Sequence, residues 1–188
     1  MSQLVVGLFV GGRATRMRGA PKGLLVAPSG VPIVERSAQL AESLGARVVL
    51  VGHHAAYAPW SAARGVRTLP DDGTDLGPLG GLLALLRTSK GPTIALACDM
   101  PYVTHALVRR LMDAPPAPIV AAKRGGRWEP FFARYDPALV EPLARARADE
   151  HATALWQLLD AAGARSLALT ADEEAQLRDW DTPEDVTA

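Results

Sequence analysis

LVVGLFVGGRATRMRGAPKGLL, residues 4–25, is where both the fold and the chemistry of this chain can be read. Leu4 to Val10 is an unbroken apolar run, the pattern of a strand covered on both faces. It opens into Gly11-Gly12, and Arg13, Arg16, Arg18 and Lys22 follow. Glycine lacks a Cβ and tolerates positive φ, so the backbone there can approach a ligand closely. Exposed N–H groups in such a turn form an anion-binding concavity. Guanidinium forks and a lysine point charge both suit phosphate. The competing reading is a strand end followed by a solvated basic loop.

The rest of the chain narrows the choice. Its 188 residues fit a single domain, residues 1–188, and the 48% hydrophobic content supports a sizeable core. Twenty basic and twenty acidic residues cancel, so no general field attracts nucleic acid, and a local basic loop on a neutral protein points to a small anionic ligand. One cysteine, Cys98, excludes an intrachain disulfide and suits a reducing cytoplasm. The apolar N-terminal run has no basic n-region and no small-residue cleavage pattern, and no apolar run reaches the roughly 18 residues of a membrane span. The expectation is a soluble cytoplasmic protein.

Short apolar runs alternate with amphipathic stretches. Pro28-Ser29-Gly30 marks a turn, and a helix is predicted from Pro32 to Gly45 with Ile33, Val34, Ala38, Leu40, Ala41 and Leu44 on its apolar side. Val48–Val51 and Val66–Leu69 read as strands, with a short helix as one reading of the ambiguous stretch from His53 to Arg64. Pro70 to Gly77 is loop chemistry with three carboxylates. Pro78 then starts a helix to Leu86, and two glycines inside it, Gly80 and Gly81, mark a place where something approaches the backbone.

Thr93–Cys98 reads as a strand followed at once by Asp99-Met100-Pro101, and Thr104 caps a helix with Leu107, Val108, Leu111 and Met112 on one face. Ile119–Ala122, Trp128–Tyr135 and Ser166–Leu169 are further strands, with a basic glycine turn over Lys123–Arg127. Pro130 is expected at an edge or a bulge. Helices follow Asp136-Pro137 and span Thr153–Ala161, and the tail from Asp179 carries a helix-start signal. This alternation predicts an α/β fold with a mostly parallel sheet and helices on both faces. Ligands in such folds bind beyond the carboxyl ends of the strands. The opening loop, the Asp71 loop and Asp99 are therefore expected at one edge.

Two phosphate motifs are absent. A P-loop needs lysine and then serine or threonine after Gly12, where the chain has Arg13-Ala14, and no G-x-G-x-x-G occurs. His53, His54, His105, His151 and Cys98 have no zinc-ligand spacing, and Cys98 reads as core. Asp99, directly after a buried strand and next to Pro101, fits a hard divalent ion such as Mg²⁺, which takes one or two carboxylates plus substrate phosphates. Asp181 is either a second ligand or the cap of the Asp-Thr-Pro-Glu helix start.

Gly11-Gly12-Arg13-x-x-Arg16-Met17 with Lys22-Gly23-Leu24-Leu25 resembles the signature loop of the molybdenum cofactor guanylyltransferases, also called molybdopterin-guanine dinucleotide biosynthesis protein A. The resemblance continues through Gly77-Pro78-Leu79-Gly80-Gly81, Asp99-Met100-Pro101-Tyr102, Glu129-Pro130-Phe131 to Tyr135, and Asp181-Thr182-Pro183-Glu184-Asp185. These blocks stand in the family's order over nearly the whole chain. The resemblance implies a three-layer α/β/α, Rossmann-like nucleotide-diphospho-sugar transferase fold of the glycosyltransferase-A type. It also implies a cytoplasmic enzyme that transfers GMP from GTP to molybdopterin and releases pyrophosphate, with Mg²⁺ as cofactor.

Carried over residue by residue, the resemblance assigns nucleotide contacts to Phe9, Val10, Gly11, Gly12, Lys22, Asp71 (or Asp72), Gly77, Pro78, Leu79, Gly80 and Asp99. It gives Lys22 a phosphate-stabilising role and Asp99 the Mg²⁺ role. The expected catalytic residues are then Lys22, Arg16 as a second cation at the triphosphate, and Asp99, and the expected metal residues are Asp99 and Asp181. Arg127 and Glu129, with Lys123 and Arg124 nearby, are candidates for the pterin substrate or belong to a solvated basic turn. Implied partners are GTP and molybdopterin, and beyond them molybdoenzymes or cofactor-insertion proteins, with no nucleic acid and no membrane.

The chain also departs from the family pattern. Val10 stands where alanine is common, Pro21 where an aspartate often precedes the loop lysine, and Val51 where a nucleotide-contacting asparagine is seen. The tail asparagines of some members are Asp179 and Asp181 here, as in related cytidylyltransferases. A cytidylyl or sugar-phosphate nucleotidyltransferase is thus the enzymatic alternative, and a non-catalytic nucleotide-binding chaperone the alternative of another class.

Overall fold

The structure, a computed structural model, describes residues 3–10, 21–70, 77–148 and 154–187. The first strand, β1 (Val5–Phe9), is buried along its whole length, as its uninterrupted apolar sequence requires. It lies between two parallel neighbours, β2 (Arg47–Val51) and β4 (Thr93–Ala97). With β3 at Arg67–Leu69, β5 at Ile119–Arg124, β6 at Arg127–Tyr135 and β7 at Arg165–Leu167, the sheet runs β3-β2-β1-β4-β6-β5-β7. Among the described strands, only β6 runs antiparallel to its neighbours, β4 and β5.

Period-two alternation along β1 divides the core into two layers. Val6 and Leu8 face a cluster with Val34, Ala38 and Ala41 of α1 (Ile33–Ser43) and Leu107, Val108 and Leu111 of α4 (His105–Asp113). Val5 and Phe9 face the other cluster, with α3 (Pro78–Leu86), α5 (Val140–Ala148) and α6 (Leu155–Ala161). The three-layer arrangement anticipated from the sequence is present. On the α3 face, a Cβ at Gly7 would lie 2.5 Å from a Leu85 methyl carbon, so a side chain there would force Leu85 to move.

The helix termini follow local chemistry. Thr104 accepts a hydrogen bond from Leu107 N–H at the start of α4. At the end of α1, Gly45 adopts φ 76°, and Ala46 N–H donates to the Ala41 carbonyl. The stretch after His53 forms a 3-10 turn, Ala55–Tyr57, followed by α2 (Ala58–Arg64). Two short helices close the chain, α7 (Ala171–Ala175), which the apolar pattern does not announce, and α8 (Pro183–Thr187).

Two expectations about the β5–β6 hairpin are refined. The basic turn shrinks to Gly125-Gly126, both at positive φ (55° and 79°), while Lys123, Arg124 and Arg127 belong to the strands. Pro130 lies within a strand that has neighbours on both sides, and a register shift accommodates it: Ala121 pairs with Ala133, but Ala122 pairs with Glu129. The buried Tyr135 hydroxyl donates to the Pro130 carbonyl inside this bulge. Because β6 is antiparallel, Glu129-Pro130-Phe131 is delivered to the carboxyl-end edge of β1 and β4.

Candidate active site

From β1 the chain winds outward to β2 and β3, then returns through α3 to β4 on the other side of β1. The reversal creates a topological switch point at the carboxyl ends of β1 and β4, where open α/β sheets bind ligands. At this edge Val10 N–H donates to Val51 O and Cys98 N–H to Phe9 O, so β1 and β4 stay paired to their last residues. Asp99 is the first residue beyond that pairing.

A 3-10 turn over Lys22–Leu24 returns the chain to the same edge. The Lys22 ammonium donates to Asp99 Oδ2 at 3.2 Å and to Asp181 Oδ1 at 2.5 Å, contacts that span 77 and 159 residues of sequence. Asp99, Asp179 and Asp181 each place a carboxylate oxygen within 4.8 Å of the others. Arg124 Nη1 donates to Asp179 at 2.8 Å, and its Nε donates to Glu129 at 2.6 Å. Four carboxylates and two cations thus form one network.

Its electrostatics follow from burial and crowding. Desolvation raises the Asp99 pKa, and the charges of Asp179 and Asp181 add to the rise, against the lowering influence of Lys22. Burial alone pulls the Lys22 pKa down, but the hydrogen bond to Asp181 and the fields of both carboxylates outweigh it, so the net shift is upward. Glu129 is also raised, first by burial, with Arg124 opposing. Lys22 is therefore held as a cation beside Asp99 and near Glu129, both of whose carboxyls burial pushes above the usual range.

The tail is fastened so that its carboxylates face inward. In the irregular stretch 178–181, alternate side chains go to opposite sides. Arg178 and Trp180 both donate to the Tyr102 hydroxyl, at 2.8 and 3.3 Å, and Trp180 is 2% exposed beside Ala27 and Ile33. Trp180 N–H also donates to the Asp99 carbonyl at 2.8 Å. Asp179 and Asp181 consequently point to Arg124 and Lys22. The Asp185 carboxylate accepts from the Asp181 and Thr182 N–H groups at the start of α8.

The structure brings Lys22, Asp99 and Asp181 together, and Glu129, a pterin-side candidate in the sequence, joins them through Arg124. Gly77 and Pro78 stand exposed at the start of α3, whereas Leu79 and Gly80 are buried in it. Val10 is half-buried at the edge. The Phe9 side chain is core, its ring 4.4 Å from that of Phe131. The pterin-side candidates separate: Arg124 is built into the carboxylate network, the Lys123 ammonium lies over the Trp128 ring at 4.1 Å, and Arg127 is exposed. Gly11, Gly12, Arg13, Arg16, Arg18, Asp71 and Asp72 lie outside the described residues. Asp179, noted beside Asp181 as a tail carboxylate suited to a metal but not counted among the expected site residues, joins the cluster. The signal is present in Asp179-Trp180-Asp181, two carboxylates on either side of an anchoring aromatic.

Among the described residues, the one grouping of three or more His, Cys, Asp or Glu side chains able to hold a metal ion is Asp99, Asp179 and Asp181. All its donors are hard carboxylate oxygens, the set a small divalent cation prefers and one ill-suited to zinc.

With this geometry in view, the comparisons with known proteins are specific. Residues 7–167 match the MobA-like NTP transferase domain, so Asp179 and Asp181 come from a tail beyond the matched residues. The chain is 37% identical over 155 residues to a molybdenum cofactor guanylyltransferase of Burkholderia vietnamiensis strain G4, covering 75% of this chain and 74% of that one. It is 31% identical over 187 residues to a molybdenum cofactor guanylyltransferase of Pseudomonas paraeruginosa strain PA7, covering 94% and 89%. Its fold is similar to that of molybdopterin-guanine dinucleotide biosynthesis protein A from Archaeoglobus fulgidus, with a TM-score of 0.76, 20% identity and coverage of 97% and 95%. It is also similar to that of 2-C-methyl-D-erythritol 4-phosphate cytidylyltransferase from Thermus thermophilus, with a TM-score of 0.65, 19% identity and coverage of 96% and 94%.

Proposed function

The chain belongs to the MobA-like NTP transferase family, and from that premise we propose that this nucleotidyltransferase moves GMP from GTP to molybdopterin and releases pyrophosphate. The observation that carries the reading is the meeting of Lys22, Asp99 and Asp181 at the switch-point edge, from three separate parts of the chain. The names of the relatives support the choice of nucleotide and acceptor.

In the reaction, an oxygen of the molybdopterin phosphate forms a bond to the α-phosphorus of GTP. The bond from that phosphorus to the α–β bridging oxygen breaks, and pyrophosphate leaves with the electron pair. The attacking phosphate oxygen is already anionic, so no general base is required. The work of the protein is positioning and charge neutralisation. Lys22, kept protonated by its carboxylate neighbours, supplies positive charge at the triphosphate. Arg16, from the same basic stretch of sequence, would supply a second cation of this kind. Asp99, Asp179 and Asp181 would hold Mg²⁺, which when bound neutralises phosphate charge and orients the triphosphate. Arg124 keeps Asp179 and Glu129 in place, and the Tyr102–Arg178–Trp180 contacts keep the tail closed on the site.

Pyrophosphate release from GTP plus molybdopterin tests the proposal. Lys22→Ala and Asp99→Ala are each expected to lower the rate on the order of 100- to 1000-fold, the usual cost of one preorganised electrostatic contact. Near-normal guanylyl transfer by either variant sinks the assignment. The aspartates at 179 and 181 favour one second reading, cytidylyl transfer, and CTP supporting turnover in place of GTP would establish it.

A further inference from the structure

Tyr57 closes the 3-10 turn between β2 and α2, in the stretch whose sequence is least informative. It is 3% exposed and belongs to the core cluster on the α1 face. Its hydroxyl accepts a buried 2.9 Å hydrogen bond from Gly23 N–H, across 34 residues of sequence. Burial pushes the phenol pKa up, so the acceptor is a neutral hydroxyl.

Gly23 has no room for a side chain. A Cβ there would lie 2.7 Å from the Tyr57 hydroxyl oxygen, 2.9 Å from Cys98 Cβ and 3.2 Å from the Cys98 carbonyl oxygen. The backbone of residue 23 is therefore clamped between Tyr57 and the residue immediately before Asp99. Lys22 precedes Gly23 in the same single turn, which is closed by Leu24 N–H to Pro21 O at 2.9 Å and Leu25 N–H to Lys22 O at 3.0 Å. A turn held at one residue by a side chain and internally by two backbone bonds leaves its neighbour little freedom of direction.

We propose that Tyr57 is a positioning residue for Lys22: its hydroxyl fixes Gly23, and thereby the line along which the Lys22 ammonium enters the carboxylate cluster. This rests on the role given to Lys22 above. The hydroxyl, rather than the ring, carries the effect. The ring fills core space that phenylalanine would fill equally, whereas removing the oxygen leaves the buried Gly23 N–H without its acceptor.

The test is the steady-state kinetics of pyrophosphate release from GTP and molybdopterin. Tyr57→Phe is expected to lower kcat about 10-fold or more with the KM for GTP changed by less than about 2-fold, the split expected when a transition-state contact is misplaced. Val108→Ala, a cavity in the same core cluster on α4, is expected to lower the melting temperature at least as much and leave kcat intact. Gly23→Ala should be severely impaired. Combining it with Tyr57→Phe removes one of its collisions, so the double variant should retain more activity than the product of the single effects predicts.

A Tyr57→Phe enzyme within about 2-fold of wild-type kcat, with Lys22→Ala inactive, overturns the proposal and leaves the Lys22 reading intact. Strictly multiplicative effects of the two substitutions overturn it as well. Near-normal Lys22→Ala activity removes the reading on which it rests, and the proposal with it. If Gly23→Ala does not fold, the kcat of Tyr57→Phe decides alone.

Discussion

Replacing Lys22 by methionine keeps an apolar stem but deletes the charge that Asp99 and Asp181 share. At an effective dielectric of about 20, opposite charges 3.2 Å apart attract by roughly 5 kcal/mol, and in bulk water by about 1 kcal/mol. The Lys22 and Asp99 side chains are 20% and 26% exposed, which places the pair between these limits, and the more exposed Asp181 contact adds little after solvent screening. Removing one member also leaves crowded carboxylates uncompensated. Together these give an expected loss of about 2–3 kcal/mol at pH 7.5, or roughly 5–10 °C in melting temperature for a chain of this size.

The pH dependence identifies the cause. The Asp99 pKa is already raised in the folded protein, so the folded state binds this proton more tightly than the unfolded chain does. Ionised Asp99 therefore costs stability at neutral pH, and that cost is relieved as pH falls through its folded pKa towards the ordinary aspartate value. Without Lys22 the Asp99 pKa rises further, so the gap between variant and wild type should be widest at pH 7–8 and shrink towards about pH 4.5. Thermal and urea melts of the two proteins across that range provide the assay. A variant as stable as wild type at pH 7.5, or a gap that widens on acidification, refutes the reasoning.

Three further outcomes follow from particular contacts. Arg134, 8% exposed, donates to the carbonyls of Leu111, Met112, Ala114 and Pro115 where α4 ends, so Arg134→Met should cost about 2–4 kcal/mol in urea melts by leaving these acceptors unpaired. Gly77 holds φ 50° and ψ −138°, with open space where a methyl group would sit, so Gly77→Ala should lose about 1–3 kcal/mol through backbone strain alone; an unchanged melting temperature rejects this. Burial, with the charge of Asp99 adding, pushes the Cys98 thiol pKa far up, so iodoacetamide should leave native protein unlabelled at pH 8 and react on unfolding; rapid native labelling contradicts that burial.

Most of the architecture was legible in the sequence because burial leaves a periodic record. The runs at β1, β2 and β4 are apolar on both faces, as parallel strands between helix layers must be, and the predicted helices at Pro32, Pro78 and Thr104 begin within a residue or so of their places. Lys22 and Asp99 were legible for a related reason: each is a charged residue directly beside an apolar run. The antiparallel course of β6 was not, because strand direction leaves no mark in an alternating pattern. Nor was α7, whose stretch buries no residue and is held by side chains: Glu173 with Arg110, Glu174 with Gly125 N–H, and the following Gln176 with Thr104.

The sequence by itself determined a two-layer covering of a mostly parallel sheet, and which loops end at its carboxyl edge. It also determined the chemical types offered there, because hydrophobic periodicity and glycine placement are local properties. Only the tertiary structure decided which charges meet. Asp179 joins Asp99 and Asp181 because Trp180 is pinned to Tyr102 and to the Asp99 carbonyl, and Arg124 rather than Lys123 or Arg127 faces them because of its place in the β5 pleat. Lys22 reaches the cluster through a glycine clamped by a tyrosine 34 residues away. Electrostatic partnership depends on distances of a few ångströms between residues remote in sequence, and only the packed chain sets those distances.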